Sequence, residues 1–185
     1  MGNAFRSNVK LNCMLCGLDG CGKTTVLYRL RLKEVNKNFK ETKGFNYEIV
    51  QQQFQDNSYE LHIWDLAGKK ELRHLWSHFY SCINFDVVLF CVNANNRDRF
   101  DEAYSEFYKL IHEERLRNAI VIVLLNIHNV GDLNRLRAGE VKTKFRLSEL
   151  KYVVAKVVEV NAFSGDGFPE IFKNIFKGVK LGIRA

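Results

Sequence analysis

The chain has 185 residues, 46% of them hydrophobic and 26% charged, which excludes a disordered or low-complexity polypeptide and leaves enough apolar side chain for a core. Its net charge of +7 suits an acidic partner such as a membrane surface or nucleic acid, and suits a solvated basic face equally well. The longest apolar run, residues 119–125, falls far short of the roughly 18 residues a membrane span needs, and no apolar leader opens the chain.

Taken in order, "VKLNCMLCG" (9–17) reads as a strand and "KTTVLYRLRLKE" (23–34) has helical spacing. The runs 47–54 and 59–66 flank the turn residues "QDNS", a hairpin signal. Residues 86–94 read as a buried strand. Residues 97–116 read as an amphipathic helix with Phe100, Tyr104, Phe107, Leu110 and Ile111 on one face, and 118–125 as a second buried strand. The stretch 148–157 is ambiguous, a helix running into a strand near 157–160. Residues 168–182 close the chain as a helix with Pro169 in its first turn. The five cysteines include one C-x-x-C, Cys13 and Cys16. Without further ligands at metal spacing it reads as two buried thiols, and a reducing compartment is expected.

Buried strands alternating with helices imply parallel βαβ units, hence an α/β sheet covered on both faces, with the hairpin adding one antiparallel strand. No linker or repeat divides the chain. The expectation is one domain over 9–185 behind a short extension, 1–8.

The chemistry sits first in "GLDGCGKTT" (17–25), which satisfies G-x-x-x-x-G-K-[ST] between a strand and a helix. Glycines let the backbone curl so that successive N–H groups face a phosphate, and the helix N-terminus adds its dipole. Asp19, Gly20, Cys21, Gly22, Lys23, Thr24 and Thr25 are therefore candidate nucleotide-binding residues. Lys23 would meet the β and γ phosphates, and the Thr24 hydroxyl would ligate Mg²⁺. In "WDLAG" (64–68), Asp65 ends a strand and is placed to hold the Mg²⁺ shell, while the Gly68 N–H can meet a γ-phosphate. Thr42, in "ETKGFNYE", can offer a hydroxyl from the other side.

The stretches "GLDGCGKTT", "TKGFN", "WDLAGKKELRHLWSHFY", "LRNAIVIVLLN" and "SGDG" together resemble the Arf/Arl (ADP-ribosylation factor-like) branch of the small GTPases, from about Val9 to the C-terminus. The resemblance implies a P-loop small GTPase fold with a mostly parallel six-stranded sheet, one antiparallel edge strand and helices on both faces. It implies GTP/GDP and Mg²⁺ as ligands, with Thr24, Thr42 and Asp65 about the metal. It also implies an effector-reading patch of Phe45, Trp64 and Tyr80, and Ala162 in "VNAFSGDG" as a backbone donor to the guanine oxygen. The implied partners are effectors, an exchange factor and a GTPase-activating protein. A monomer without nucleic acid is expected, cytoplasmic or peripheral on the Golgi or another endomembrane.

Several positions depart from that pattern. Lys69 follows Gly68 at the catalytic position where the family has a water-positioning Gln; a protonated lysine accepts no proton from water, so slow hydrolysis is expected. Gly2 opens a myristoylation-like start, yet Arg6 stands where the pattern wants Ser or Thr. One acyl chain anchors weakly, so a second signal is needed, for which Arg6, Lys10, Lys173, Lys177, Lys180 and Arg184 are candidates. The resemblance makes "TKGFN" the first switch and "WDLAG" the start of the second, and the hairpin between them is longer than is usual in the family.

In "LLNIHNVGD" (124–132) the family has Asn-Lys-x-Asp, the guanine-reading loop. Two registers are open. In one, Asn126 ends the strand, Ile127 replaces Lys and Asn129 replaces Asp; in the other, Asn129 begins the motif and Asp132 ends it. The apolar run before it favours Asn126. With Asn129 as reader, guanine discrimination weakens, because a carboxamide offers one acceptor where a carboxylate offers two. Ile127 or Val130 could still cover the base. Three functions follow: a GTP/GDP switch recruiting effectors in membrane traffic, a nucleotide-weak adaptor that keeps the fold, and, last, a small-molecule P-loop kinase.

Overall fold

The computed structural model describes residues 8–32, 42–150 and 155–181. Six strands form one sheet in the order β2-β3-β1-β4-β5-β6. They are β1 (Asn8–Gly17), β2 (Phe45–Phe54), β3 (Asn57–Leu66), β4 (Val87–Asn93), β5 (Ile120–Asn126) and β6 (Ala155–Val160). Only the β2–β3 pair is antiparallel; β1–β3, β1–β4, β4–β5 and β5–β6 are parallel. β4 and β5 are central and covered on both sides, which is why "VVLFCVN" and "IVIVLLN" are almost unbroken apolar runs.

The helices divide between the two faces. α1 (Lys23–Leu32) and α5 (Phe168–Lys180) pack on one, around Val26, Leu27, Ile171 and Phe176. α2 (Trp76–Cys82), α3 (Phe100–Ile111) and α4 (Ala138–Lys144) pack on the other, around Trp76, Phe107, Val141 and Phe145. Strand alternation decides which face each residue serves: Cys13 and Leu15 enter the first cluster, Met14 and Cys16 the second. The C-x-x-C thiols therefore lie in opposite cores, each pushed far above the ordinary thiol range by burial, and form no common site.

Differences from the sequence expectations are local. The hairpin strands start two residues earlier than expected, leaving Gln55 and Asp56 as the turn, with Gln55 at φ +54°. The 97–116 helix is shorter: 3-10 turns at Arg97–Arg99 and Glu114–Leu116 bracket α3, whose buried face is Ala103, Phe107 and Leu110. α4 was not expected at all; its seven residues give too short a window for helical periodicity to show. In the ambiguous segment a 3-10 turn (Leu147–Glu149) precedes β6, and 151–154 lie outside the described residues. No helix among the described residues is long and apolar enough to cross a membrane.

Candidate functional site

The carboxyl ends of β1, β3, β4, β5 and β6 carry the loops where the motif residues meet, as expected for an open α/β sheet. The phosphate loop runs from Gly17 to Gly22 between β1 and α1. Gly22 adopts φ +88°, and a Cβ there would lie 2.4 Å from Asn126 Nδ2 and 3.0 Å from His128 Nε2. Lys23 is buried and folds back on the loop, its Nζ donating to the Leu18 carbonyl at 2.7 Å. Burial works against its charge, but Cys21 and Asp65 more than offset that, and its pKa ends above the ordinary lysine value. Thr25 lies beside Thr24 in the first turn of α1, and Gly20 is exposed at φ +69°.

Thr24, Thr42 and Asp65 converge. The Thr24 hydroxyl donates to Asp65 Oδ2 at 2.7 Å and lies 3.0 Å from Thr42 Oγ1. Asn46 Nδ2 bridges the same group, reaching Thr42 Oγ1 at 3.2 Å and Asp65 Oδ2 at 3.1 Å. The β2–β3 register sets this up, pairing Asn46 directly with Asp65. Asp65 is fully buried, and its Oδ1 has no hydrogen-bond partner. Burial raises its pKa, with the bond from Thr24 and the charge of Lys23 pulling the other way. An orphaned carboxylate oxygen beside two hydroxyls is a set of hard oxygen donors that fits Mg²⁺.

Gly68 lies against the phosphate loop, but by its carbonyl, which accepts from the Asp19 N–H at 3.1 Å and from Arg73 Nε at 2.7 Å. A Cβ on Gly68 would come within 2.5 Å of Asp19 N and Gly17 O, so only glycine permits this approach. The Gly68 carbonyl is thus taken up within the fold, and its N–H is the group expected to meet a γ-phosphate. The Asp19 side chain is held by two arginines. Arg99 meets both its oxygens, at 2.8 and 3.1 Å, and holds its carboxyl below the usual range, while Arg73 lies 3.3 Å from Oδ1. Arg73 is buried and also faces Glu102 at 2.8 Å, and Trp76 Nε1 ties the following helix to the Ala67 carbonyl at 2.9 Å.

Asn126, at the end of β5, joins three loops. Its Nδ2 donates to the Cys21 carbonyl at 3.0 Å and lies 2.9 Å from His128 Nε2, and its Oδ1 accepts from the Ala162 N–H at 3.2 Å. Asn126 therefore braces the phosphate loop, while Asp132 lies further out, bound to Asn95 and to the Asn134 N–H. Ala162 donates to Asn126, and the next two N–H groups, of Phe163 and Ser164, both meet Asn161 Oδ1. Ile127 is buried in the core with α3 and α4 rather than standing free to cover a base; Val130 and Phe163 are the exposed apolar residues there.

The ADP-ribosylation factor family model matches residues 1–179. The chain belongs to that family. Among solved structures it is similar to the Arl6 (BBS3) small GTPase of Trypanosoma brucei, determined with the nucleotide analogue GppNp. The two are 23% identical, the match covers 94% of this chain and 99% of that one, and the TM-score is 0.78, a likeness of fold.

In this ADP-ribosylation factor family member, Phe45 and Trp64 share one aromatic cluster. Phe45 packs against Trp64 at 5.6 Å between ring centroids and against Phe79 at 5.2 Å, and Tyr47 adds to them, 4.6 Å from Trp64. Phe79 thus joins Phe45 and Trp64 in this cluster. One residue on along α2, Tyr80 is half-buried beside Glu113, and burial followed by that carboxylate pushes its phenol up to about 12. Lys69, directly after Gly68, is exposed. Sequence reasoning missed Asn46, Arg73, Arg99, Asn95 and Phe79. Asn46 stood inside the quoted "TKGFN" and Arg73 inside "KKELRHLW", so the signal was present without an assigned role. Gly2 and Arg6 lie outside the described residues.

Proposed function

We propose that this chain is a nucleotide-dependent switch: it binds a nucleoside di- or triphosphate with Mg²⁺ and presents the Phe45–Trp64–Phe79 surface to effectors in one nucleotide state. The observation that carries the reading is the meeting of the half-buried Thr24 and Thr42 with the buried Asp65, whose Oδ1 is left unpartnered. Residues from three distant segments, each with a hard oxygen, are drawn to one point beside the phosphate loop. The chemistry a bound Mg²⁺ would supply is neutralisation of phosphate charge. Thr24 and Asp65 would hold it from the loop and β3, and Thr42 would do so only while the first switch is docked. Lys23 exchanges the Leu18 carbonyl for phosphate oxygens. Loss of the terminal phosphate removes what Thr42 and the Gly68 segment lean on, so both are released. The same release frees the aromatic surface, because Phe45 lies three residues from Thr42 and Phe79 lies on the helix after Gly68.

Lys69 leaves the site without a side chain to orient the attacking water, so turnover is slow and depends on a group brought by an activating protein. In the same reading Gly2 carries an acyl chain, and Lys177 and Lys180 in the last turn of α5 supply a second, electrostatic contact to an endomembrane. Of the other basic candidates, Lys10 faces Glu60 at 3.5 Å and Lys173 faces Glu170 at 3.1 Å.

The adaptor reading is favoured by one feature, the substitution of Lys69 for a water-positioning residue. One experiment tests both: titration of a fluorescent nucleoside diphosphate with and without Mg²⁺, followed by single-turnover hydrolysis. Mg²⁺-dependent binding abolished by Lys23→Ala supports the switch. Tight binding without turnover, even with an activating protein, favours the adaptor. Absence of binding by any purine nucleotide refutes the switch.

A further inference from the structure

The loop after β5 is locked in a way that decides what it offers a ligand. Asn95 Oδ1 accepts from the His128 and Asn129 N–H groups at 2.9 and 3.1 Å, and Asn95 Nδ2 donates to the Asn129 carbonyl at 2.9 Å. The Asn129 side chain is oriented as well. Its Oδ1 accepts from the Gly131 N–H at 3.0 Å, and a backbone N–H can be met only by the carboxamide oxygen, so Nδ2 points away from the turn. Asp132 is the one carboxylate between 126 and 132, and both its oxygens are in use, Oδ2 with Asn95 Nδ2 and Oδ1 with the Asn134 N–H. The loop therefore presents, at Asn129, two N–H donors and one remaining oxygen lone pair.

We propose that this site prefers a purine with a carbonyl at position 2, xanthine, over guanine, and that Asn129 sets the preference. The inference rests on the reading of residues 126–129 as the base loop of the proposed nucleotide site. Guanine presents two adjacent donors, N1–H and the 2-amino group. Asn129 can accept one; its own N–H then faces the other, donor against donor. Xanthine presents N1–H beside the C2 carbonyl, so Asn129 accepts from the first and donates to the second. The 6-carbonyl is common to both bases and cancels from the comparison. Adenine lacks N1–H and gains nothing from the Asn129 oxygen. A site whose polar groups match one base rejects the mismatched one more strongly than an apolar contact could, so the preference is about tenfold or more.

The test is displacement of a fluorescent nucleoside diphosphate, in Mg²⁺, by XDP, GDP, IDP and ADP. The unaltered chain binds XDP about tenfold or more tightly than GDP, with IDP, which has no 2-substituent, between them. Asn129→Asp, which can still accept the Gly131 N–H and keep the turn, reverses the order. Asp132→Asn leaves it unchanged. Tighter binding of GDP than XDP by the unaltered chain overturns the inference while leaving the proposed function standing. So does an XDP/GDP ratio that responds to Asp132→Asn and not to Asn129→Asp. Failure of all four nucleotides to bind overturns the proposed function, and this inference with it.

Discussion

Gly22→Ala isolates the contact on which the nucleotide site is hung. Two costs add. Alanine at φ +88° pays for left-handed backbone, about 1–2 kcal/mol. Its Cβ would stand 2.4 Å from Asn126 Nδ2, well inside contact distance, and Asn126 is only 1% exposed and held from both ends. Pushing its amide aside breaks the bond to the Cys21 carbonyl in a buried place, about 1–2 kcal/mol more. The sum, about 3 kcal/mol, corresponds to a fall in Tm of roughly 10 °C for a domain of this size. Denaturant melts of four proteins measure it: the unaltered chain, Gly22→Ala, Asn126→Ala and the double variant. Asn126→Ala removes the obstructing amide, so the double variant is more stable than additivity predicts by about 1 kcal/mol. A Gly22→Ala cost below about 0.5 kcal/mol, or strict additivity across the cycle, would refute the claim that these two residues are in forced contact.

Asp65→Asn tests the metal set. Burial raises the Asp65 pKa, so carrying the charge at neutral pH is unfavourable in the metal-free fold, and that penalty grows as pH rises from the unfolded value toward the folded one. The variant melts higher than the unaltered chain without Mg²⁺ and no longer responds to added Mg²⁺; a lower metal-free Tm contradicts the assignment. Lys69→Gln raises the single-turnover rate of bound triphosphate by about tenfold or more, and an unchanged rate shows that Lys69 is not what limits hydrolysis. Burial holds the His128 pKa below the ordinary histidine value, so the fold favours the neutral ring that can accept from Asn126. Stability is complete above a pH of about 6.5 and declines as pH falls toward the folded value. His128→Gln, whose side-chain oxygen can also accept, flattens that decline in melts run from pH 7 to 5.

The parts that could be read from the chain are those whose causes lie within a few adjacent residues. A glycine-punctuated turn between an apolar run and a helical one specifies a phosphate loop wherever it occurs, because Gly17, Gly20 and Gly22 take backbone angles that few other residues adopt. The alternation of buried strands with amphipathic helices likewise specifies parallel units covered on both faces, because a strand apolar on both sides has no other stable place. Only the tertiary structure could decide matters that depend on distant partners or on a rotation of one residue. Phe79 and Tyr80 are neighbours in the chain and both aromatic; the roll of α2 alone sets the first against Phe45 and the second beside Glu113. Asn46 and Asp65 acquire a shared role through hairpin register, and Asp19, Arg73 and Arg99 through the packing of α3 beside the phosphate loop. The loop after β5 shows both limits at once. Its place at a strand end was legible from the apolar run, whereas Asn126 became the brace, and Asn129 the residue left to meet a ligand, because Asn95 and the Cys21 carbonyl stand where the folded sheet brings them. Hydrogen-bond donors and acceptors are specified by residue type, but whether each is spent within the fold or left for a ligand is settled by what packs beside it.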